Sequence, residues 1–125
     1  MEIRESAEDY LERILMLNKS MGQVRAVDIA NLMNFSKPSV SIALKKLRQN
    51  GYVNIDGGGY ITLTESGLEI AERVFECHRL ISQLLMALGV DEQTAKEDAC
   101  RVEHDLSVES FEAIKEYCRK NLQIQ

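Results

Sequence analysis

A cysteine, a glutamate and a histidine stand close together in the segment Cys100-Arg101-Val102-Glu103-His104. Residues three and four positions apart share one face of a helix, so a helix through this segment brings their side chains together. Thiolate, carboxylate and imidazole are three good ligands for transition metals, and nothing else obvious requires all three at one place. The spacing therefore indicates a metal site.

Three further candidate ligands lie elsewhere in the chain. Asp9 and Glu12 are three residues apart in the first helical segment, and His78 interrupts the apolar stripe of a long helical segment. A buried imidazole needs a polar partner, and a metal ion is one such partner. Ordinary alternatives stay open: a hydrogen-bonded core histidine, a buried cysteine that acts as a small hydrophobic group, and carboxylates that favour a helix N-terminus.

Charge is divided unevenly along the 125-residue chain. The net charge is −5, but residues 19–52 carry six cationic side chains against one anionic side chain, a net +5. Residues 63–125 carry seven basic and thirteen acidic side chains, a net −6. A basic segment beside an acidic one suggests phosphate contact in the first, and cation binding or plain solubility in the second.

The first half of the chain has the element order of a winged helix-turn-helix. Apolar periodicity and capping residues predict three helices before Gly51, and on the third of them Val40, Ile42 and Leu47 are among the residues expected to face inward. Alternating β-forming residues on both sides of a glycine-rich turn predict a hairpin over residues 52–63. A helix of this kind fits the major groove of DNA, and the hairpin can lie along the phosphate backbone.

The candidate DNA-contacting residues lie around the second and third predicted helices and on the hairpin. Short serines together with long cationic side chains are suited to base edges and phosphates. These candidates are Arg25, Ser36, Lys37, Pro38, Ser39, Ser41, Lys45, Lys46, Arg48, Gly58 and Tyr60. A merely solvated cationic face and a winged helix that binds another protein remain the alternatives, because charge clusters and glycine-rich loops occur in both.

The second half of the chain is predicted to be all helical and to associate with another copy. Its amphipathic helices run from about Thr64 to Leu88, from about Asp91 to Asp105, and from Ser107 onward. Three apolar stripes find few places to be buried within one small domain, which favours a homodimer. We expect a mostly α protein with a DNA-binding domain at residues 1–63 and an all-helical dimerisation and metal-binding domain at residues 64–125.

Other classes of protein are disfavoured. No apolar run approaches the ~18 residues of a membrane span, and the N-terminus is charged from its second residue, unlike a signal peptide. Cys77, Cys100 and Cys118 are odd in number and form no CxxC pair, which disfavours a disulfide framework. We expect a cytoplasmic protein without a membrane partner or a small-molecule substrate. A hydrolytic metalloenzyme is disfavoured because the six candidate ligands would leave few positions for water and substrate.

The chain resembles the diphtheria toxin repressor family, which includes iron-dependent and manganese-dependent regulators, over nearly its whole length. The resemblance covers the family's opening helix, its helix-turn-helix, the exit from its wing and its two metal-binding helices. The segments concerned are Ser6–Glu12, Asp28–Ala30, Pro38–Ser41, Leu63–Gly67, Cys77–Leu80 and Ala99–Ser107. The last is the most specific, since its order and spacing match without a gap.

The resemblance implies a homodimer that binds operator DNA when loaded with metal. It places the metal ligands at Asp9, Glu12, His78, Cys100, Glu103 and His104. The set is mixed, because Asp9 is typical of the manganese branch and Cys100 of the iron branch. Ser82 and Lys96 stand where the iron branch has further ligands, so we expect its ancillary metal site to be absent or altered. The SH3-like C-terminal domain of the longer members is also expected to be absent.

We predict a repressor that senses Fe(II) or Mn(II) and controls metal-uptake genes. Several carboxylates favour Mn(II) or Fe(II), while one thiolate moves the preference toward Fe(II), Co(II) or Zn(II). Fe(II) is the first choice and Mn(II) the second, and a purified sample can carry Co(II) or Zn(II) instead. The alternative is a metal-independent winged-helix regulator in which Cys100 is a redox-sensing thiol.

Overall fold

Six α-helices and a two-stranded hairpin make up residues 5–122, the part of the chain that the computed structural model describes, with side chains from residue 7 onward. The elements are α1 Glu5–Met21, α2 Ala26–Met33, α3 Lys37–Gln49, β1 Val53–Ile55, β2 Ile61–Leu63, α4 Glu65–Ala87, α5 Glu92–Val102, α6 Val108–Tyr117 and a π-helical turn Cys118–Leu122. The predicted mostly helical class, with three helices and a hairpin before the remaining helices, is confirmed. Within residues 5–122, no helix has both the length and the apolar character needed to cross a membrane.

The chain forms two compact units, and the division between them falls within α4, between Glu72 and Arg73. The first unit contains the helix-turn-helix, the hairpin and the start of α4. The second contains the rest of α4 and the helices that follow it. The domain boundary expected between residues 63 and 64 lies just before α4 and stays a prediction.

Apolar spacing and local hydrogen bonds account for α1 and α2. On α1, Leu11 and Ile14 are fully buried. The Arg25 backbone N–H, just before α2, donates to the Asp28 carboxylate at 2.9 Å. After α2, Asn34 adopts the left-handed conformation (φ 57°), which asparagine tolerates better than most residues. This stop turns the chain directly into α3.

Helix α3 begins and ends at the residues that its sequence predicts. The Ser36 hydroxyl accepts a hydrogen bond from the Ser39 N–H at 3.3 Å, and Pro38 occupies the first turn, where a backbone donor is not needed. At the other end, Gly51 adopts a positive φ of 80°, which costs glycine little. Local sequence therefore sets the length of this helix.

The buried side of α3 is narrower than predicted. Val40, Leu44 and Leu47 face the core. The expectation that Ile42 also faces inward is wrong, because its side chain is 59% exposed. At about 100° per residue, position 42 points away from positions 40, 44 and 47.

The hairpin is short, and one carboxylate organises its turn. β1 and β2 pair antiparallel over three residues each, with Asn54 opposite Thr62. The Asp56 Oδ1 atom accepts hydrogen bonds from the backbone N–H groups of Gly58 and Tyr60, both at 2.9 Å. The glycine-rich loop is therefore a defined turn, and it holds the two strands in register.

Helix α4 begins against the connection between α3 and β1. The Thr64 hydroxyl accepts from the Gly67 N–H at 3.2 Å and donates to the Gly51 carbonyl at 2.6 Å. The Thr64 N–H donates to the Tyr52 carbonyl at 3.1 Å. A Cβ on Gly67 would collide with that carbonyl oxygen and lie 2.9 Å from its carbon. Glycine at position 67 thus lets the start of α4 approach the backbone at the base of the wing.

The second unit packs its helices around one small core. The buried members of this core are Cys77, Leu80, Ile81, Ala99, Phe111 and Cys118. Burial raises the pKa of the Cys118 thiol above its ordinary value, so this residue stays protonated at neutral pH and packs as a small hydrophobic group. Between α4 and α6, the Lys115 Nζ atom lies 2.7 Å from the Glu76 carboxylate, which raises the pKa of the lysine.

Helix α5 is shorter than predicted. It ends at Val102 and does not continue to about Asp105. Glu103 nevertheless keeps helical angles (φ −58°, ψ −24°), and its N–H still donates to the carbonyl four residues earlier at 3.0 Å. Cys100 and Glu103 therefore share a helix face as predicted, whereas His104 belongs to the turn that follows.

Candidate metal centre and nucleic-acid interface

Three of the predicted metal ligands converge in the second unit. His78 lies on α4, Cys100 on α5, and Glu103 immediately after α5. The His78 Nδ1 atom lies 3.0 Å from Glu103 Oε2 and 3.6 Å from Cys100 Sγ. Donor atoms of all three lie within 4.8 Å of one another. The arrangement places nitrogen, oxygen and sulfur donors around one point.

His104 brings a second imidazole to the same carboxylate. Its Nε2 atom lies 3.3 Å from Glu103 Oε1, whereas His78 faces Oε2. The Glu103 side chain is 1% exposed and that of His104 is 3% exposed. A carboxylate removed from water needs polar partners, and the two imidazoles supply them. Glu103 is therefore the central residue of the cluster.

The spacing and chemistry of these donors fit a divalent transition metal. Nitrogen, oxygen and thiolate ligands about 2.0–2.3 Å from an ion lie about 3–3.7 Å from one another. The His78–Glu103 and His78–Cys100 distances of 3.0 and 3.6 Å fall in this range. A mixed nitrogen, oxygen and sulfur set suits Fe(II), Co(II) and Zn(II), while the carboxylate oxygen also suits Mn(II).

Ser82 supports the backbone beneath His78. Its buried hydroxyl donates to the His78 carbonyl at 2.6 Å, a bond that serine forms readily to the residue four positions back in a helix. This role of Ser82 was not predicted from the sequence, although a serine four residues after a candidate ligand is a usable signal. Lys96, the other residue expected to alter an ancillary metal site, pairs with Glu92 at 2.7 Å.

Asp9 and Glu12 lie on α1, in the first unit. The Glu12 side chain is 2% exposed and accepts a hydrogen bond from Arg13 Nη1 at 3.0 Å. Asp9 is half-buried. Burial of a carboxylate is costly unless other groups replace the lost water, and carboxylates on the side of a helix are usually exposed. The burial of Glu12 and the partial burial of Asp9 are therefore unusual. Their assignment as metal ligands stays a prediction.

The predicted DNA-contacting side chains of α3 are exposed. This group comprises Lys37, Pro38, Ser39, Ser41, Lys45, Lys46 and Arg48, and Ser36 just before the helix is exposed as well. An open cleft of about 290 Å³ separates α3 from the hairpin. Its lining includes Leu44, Ile55 and Ile61 together with the cationic Lys45 and Arg48. A cationic ridge beside a wing is suited to a phosphate backbone.

Arg25 and Tyr60, two further residues predicted to contact DNA, contact each other. The Arg25 guanidinium lies 4.4 Å from the centre of the Tyr60 ring, a cation–π arrangement. Next to it, the Ile61 N–H donates to the Val24 carbonyl at 2.7 Å. These contacts tie the hairpin to the start of α2, a positioning role that sequence reasoning missed. The DNA contacts of Arg25, Tyr60 and the exposed Gly58 stay predictions.

Two family models match the chain and together span nearly all of it. Residues 2–59 match the N-terminal DNA-binding domain of the iron-dependent repressors. Residues 64–121 match the metal-binding and dimerisation domain of the same repressors. The chain belongs to the diphtheria toxin repressor family. The resemblance seen in the sequence is confirmed, and the family is one of metal-dependent transcriptional regulators.

Similar proteins are themselves transcriptional regulators, which are not enzymes. An uncharacterised HTH-type transcriptional regulator of Methanocaldococcus jannaschii is 41% identical over 118 residues, covering 93% of this chain and 94% of the relative. The transcriptional regulator MntR of Escherichia coli O157:H7 is 32% identical over 118 residues, covering 94% of this chain and 76% of MntR.

A solved structure shows the same fold. The manganese regulator SloR matches with a TM-score of 0.79 at 30% identity. The match covers 95% of this chain and 55% of the SloR chain. This chain therefore spans about half the length of that structural relative.

Proposed function

We propose that the protein is a metal-responsive repressor that binds operator DNA as a homodimer and controls metal-uptake genes. The observation that carries this proposal is the convergence of His78, Cys100 and Glu103 in a chain whose first half is a winged helix-turn-helix. The similarity to the manganese regulator SloR supports it. His78, Cys100 and Glu103 would hold a divalent ion, which would supply positive charge beside the Glu103 carboxylate.

The proposed ligand set is Asp9, Glu12, His78, Cys100, Glu103 and His104. Asp9 and Glu12 enter it through the family resemblance and through the oxygen donors that they offer. They lie on α1, which leads directly into the helix-turn-helix. Metal that binds the DNA-competent form more tightly shifts the population toward that form, and operator DNA then strengthens metal binding by the same factor. One thiolate among carboxylates favours Fe(II) first and Mn(II) second.

We further propose that the acidic half forms the homodimer. Leu88, Val108 and Tyr117 in this half are 72%, 55% and 57% exposed, so large apolar groups are available for a second copy. Two reading helices must meet successive major grooves about 34 Å apart, which a two-fold dimer allows. Sedimentation velocity at micromolar concentration should show a dimer. A monomer both with and without Mn(II) would contradict this proposal.

Replacing Cys100 tests the metal assignment. Cys100→Glu converts the set to oxygen and nitrogen donors alone, so we expect the preference to move toward Mn(II) on the order of tenfold relative to Co(II). Cys100→Ser should weaken binding of the softer ions, and Asp9→Met should move the preference in the opposite direction from Cys100→Glu. The measurement is anaerobic calorimetric titration with Mn(II), Fe(II) and Co(II), alongside DNA binding.

Cys118→Ala is the matched control for these cysteine variants, because Cys118 is a core thiol of the same unit outside the proposed ligand set. It should leave the order of metal preference unchanged. If a folded Cys100→Glu protein keeps the wild-type order, Cys100 is not a ligand. DNA binding that responds to thiol oxidation in metal-free protein, and not to metal, would favour the redox regulator instead.

Replacing Lys45 tests the DNA-binding face. Each lysine that contacts a phosphate releases counterions, so Lys45→Ala should weaken binding and reduce the slope of log affinity against log salt by about two for the dimer, one for each protomer. The probe is a 30-base-pair duplex titrated with Mn(II)-loaded protein over a salt series. Lys96→Ala makes the same charge change on the exposed side of α5 and should keep the wild-type slope. An unchanged slope in Lys45→Ala would mean that this residue does not meet the backbone.

A further inference from the structure

An apolar side chain occupies the outermost position of α3, the proposed recognition helix. Ile42 is 59% exposed, although most of the exposed residues near it on α3 are serines and lysines. At about 100° per residue, Ile42 lies about 140–160° around the helix from the buried Val40, Leu44 and Leu47. It therefore points almost directly away from the core of the first unit.

The stability of the helix does not account for this isoleucine. Its β-branched side chain is stiff in a helix and a poorer helix former than the lysines that follow it. With more than half of its surface exposed, it gains little from burial. Its neighbours three and four positions away are Pro38 and Ser39 in the turn before and Lys45 and Lys46 in the turn after, so Pro38 is the one other apolar residue among them.

The surroundings of Ile42 suit the floor of a major groove. Ser39 and Ser41 are short, which lets the helix backbone approach base edges closely. Lys45 and Lys46 extend from the next turn and are long enough to reach phosphates on the groove walls. An apolar group at the centre of such a ridge would face the base edges if the helix entered the groove.

We propose that Ile42 is a specificity-determining residue that recognises the 5-methyl group of a thymine in the operator. Thymine is the base that presents an apolar group on its major-groove edge, so an exposed apolar side chain there distinguishes it from the other three. This inference rests on the proposed function, because it requires α3 to enter the major groove.

The test compares thymine with uracil, which lacks only that methyl group. Mn(II)-loaded full-length protein selects binding sites from a random duplex library, and each thymine of the enriched site is then replaced by uracil. Loss of one methyl contact should weaken wild-type binding about fourfold at one thymine position in each half-site. Ile42→Ala should bind the thymine and uracil duplexes equally, whereas Ile42→Val, which keeps an apolar β-branched tip, should still prefer thymine.

Leu32→Ala is the matched control, since Leu32 is an exposed apolar residue on α2 that is 47% exposed. It should retain the wild-type response to uracil. The inference is wrong if no thymine position responds to uracil in the wild type, or if Ile42→Ala responds as strongly as the wild type. Those two outcomes leave the proposed function standing. If the wild type enriches no duplex in the presence of metal, both the proposed function and the role of Ile42 are wrong.

Discussion

Glu103→Gln is expected to weaken divalent metal binding by at least about 100-fold and to remove the stimulation of DNA binding by metal. Glu103 places one carboxylate oxygen 3.0 Å from His78 and the other 3.3 Å from His104, and its side chain is 1% exposed. The amide keeps the shape but loses the negative charge and one acceptor oxygen. Fe(II), Mn(II), Co(II) and Zn(II) all accept a carboxylate, so affinity for each should fall.

The measurement is calorimetric titration of wild type and variant with Mn(II) and Co(II), followed by DNA binding with and without each ion. Glu97→Gln makes the same chemical change on the exposed side of α5 and should bind metal as the wild type does. Circular dichroism of the metal-free proteins shows whether Glu103→Gln is folded. A folded Glu103→Gln protein with wild-type metal affinity would remove the central ligand from the proposal.

Gly67→Ala is expected to destabilise the first unit by about 3 kcal/mol, the upper end of the range for an overpacked site. The new methyl group would collide with the Tyr52 carbonyl oxygen, a backbone atom that cannot rotate away as a side chain does. That carbonyl also accepts the Thr64 N–H, so relief of the collision would move the base of the wing. DNA binding should weaken as a result.

Whether Gly67→Ala lowers or raises the free energy of unfolding distinguishes the effect of the collision with Tyr52 from the effect of helix propensity. Alanine is about 1 kcal/mol more favourable than glycine inside a helix, so helix propensity alone predicts that Gly67→Ala stabilises the protein. Chemical denaturation measures the free energy of unfolding directly. Gly57→Ala, in the open turn of the wing where a Cβ would meet nothing within 4 Å, should change it by less than about 0.5 kcal/mol. Equal or greater stability of Gly67→Ala would mean that the close approach to Tyr52 is not maintained in solution.

Local sequence was sufficient to predict where most elements begin. The caps at Ser36 and Thr64 depend on hydrogen bonds to backbone groups three residues away, so they can be recognised without knowledge of the rest of the chain. The pairing of Cys100 with Glu103 depends in the same way on helical spacing. The candidate metal cluster was visible in the sequence to this extent.

The position of His78 in the cluster depended on distant parts of the chain. His78 precedes Glu103 by 25 positions, and its apolar surroundings on α4 showed only that it needs a polar partner. The resemblance to a known family was what placed His78 in the same ligand set as Cys100 and Glu103. The 3.0 Å separation arises because α4 and α5 pack on one core through Cys77, Leu80 and Ala99.

The sequence by itself determined the order of the elements, the cationic character of α3, and the nitrogen, oxygen and sulfur donors of the metal cluster. Each of these depends on residues a few positions apart. The tertiary structure decided that Ile42 faces outward, that α5 ends at Val102 and that Gly67 lies against the Tyr52 carbonyl. An apolar residue is buried only where another element packs against it. Periodicity alone does not show how much of the helix surface is packed in this way. A glycine is required sterically only where a distant backbone approaches it, and such an approach is set by the packing of whole elements.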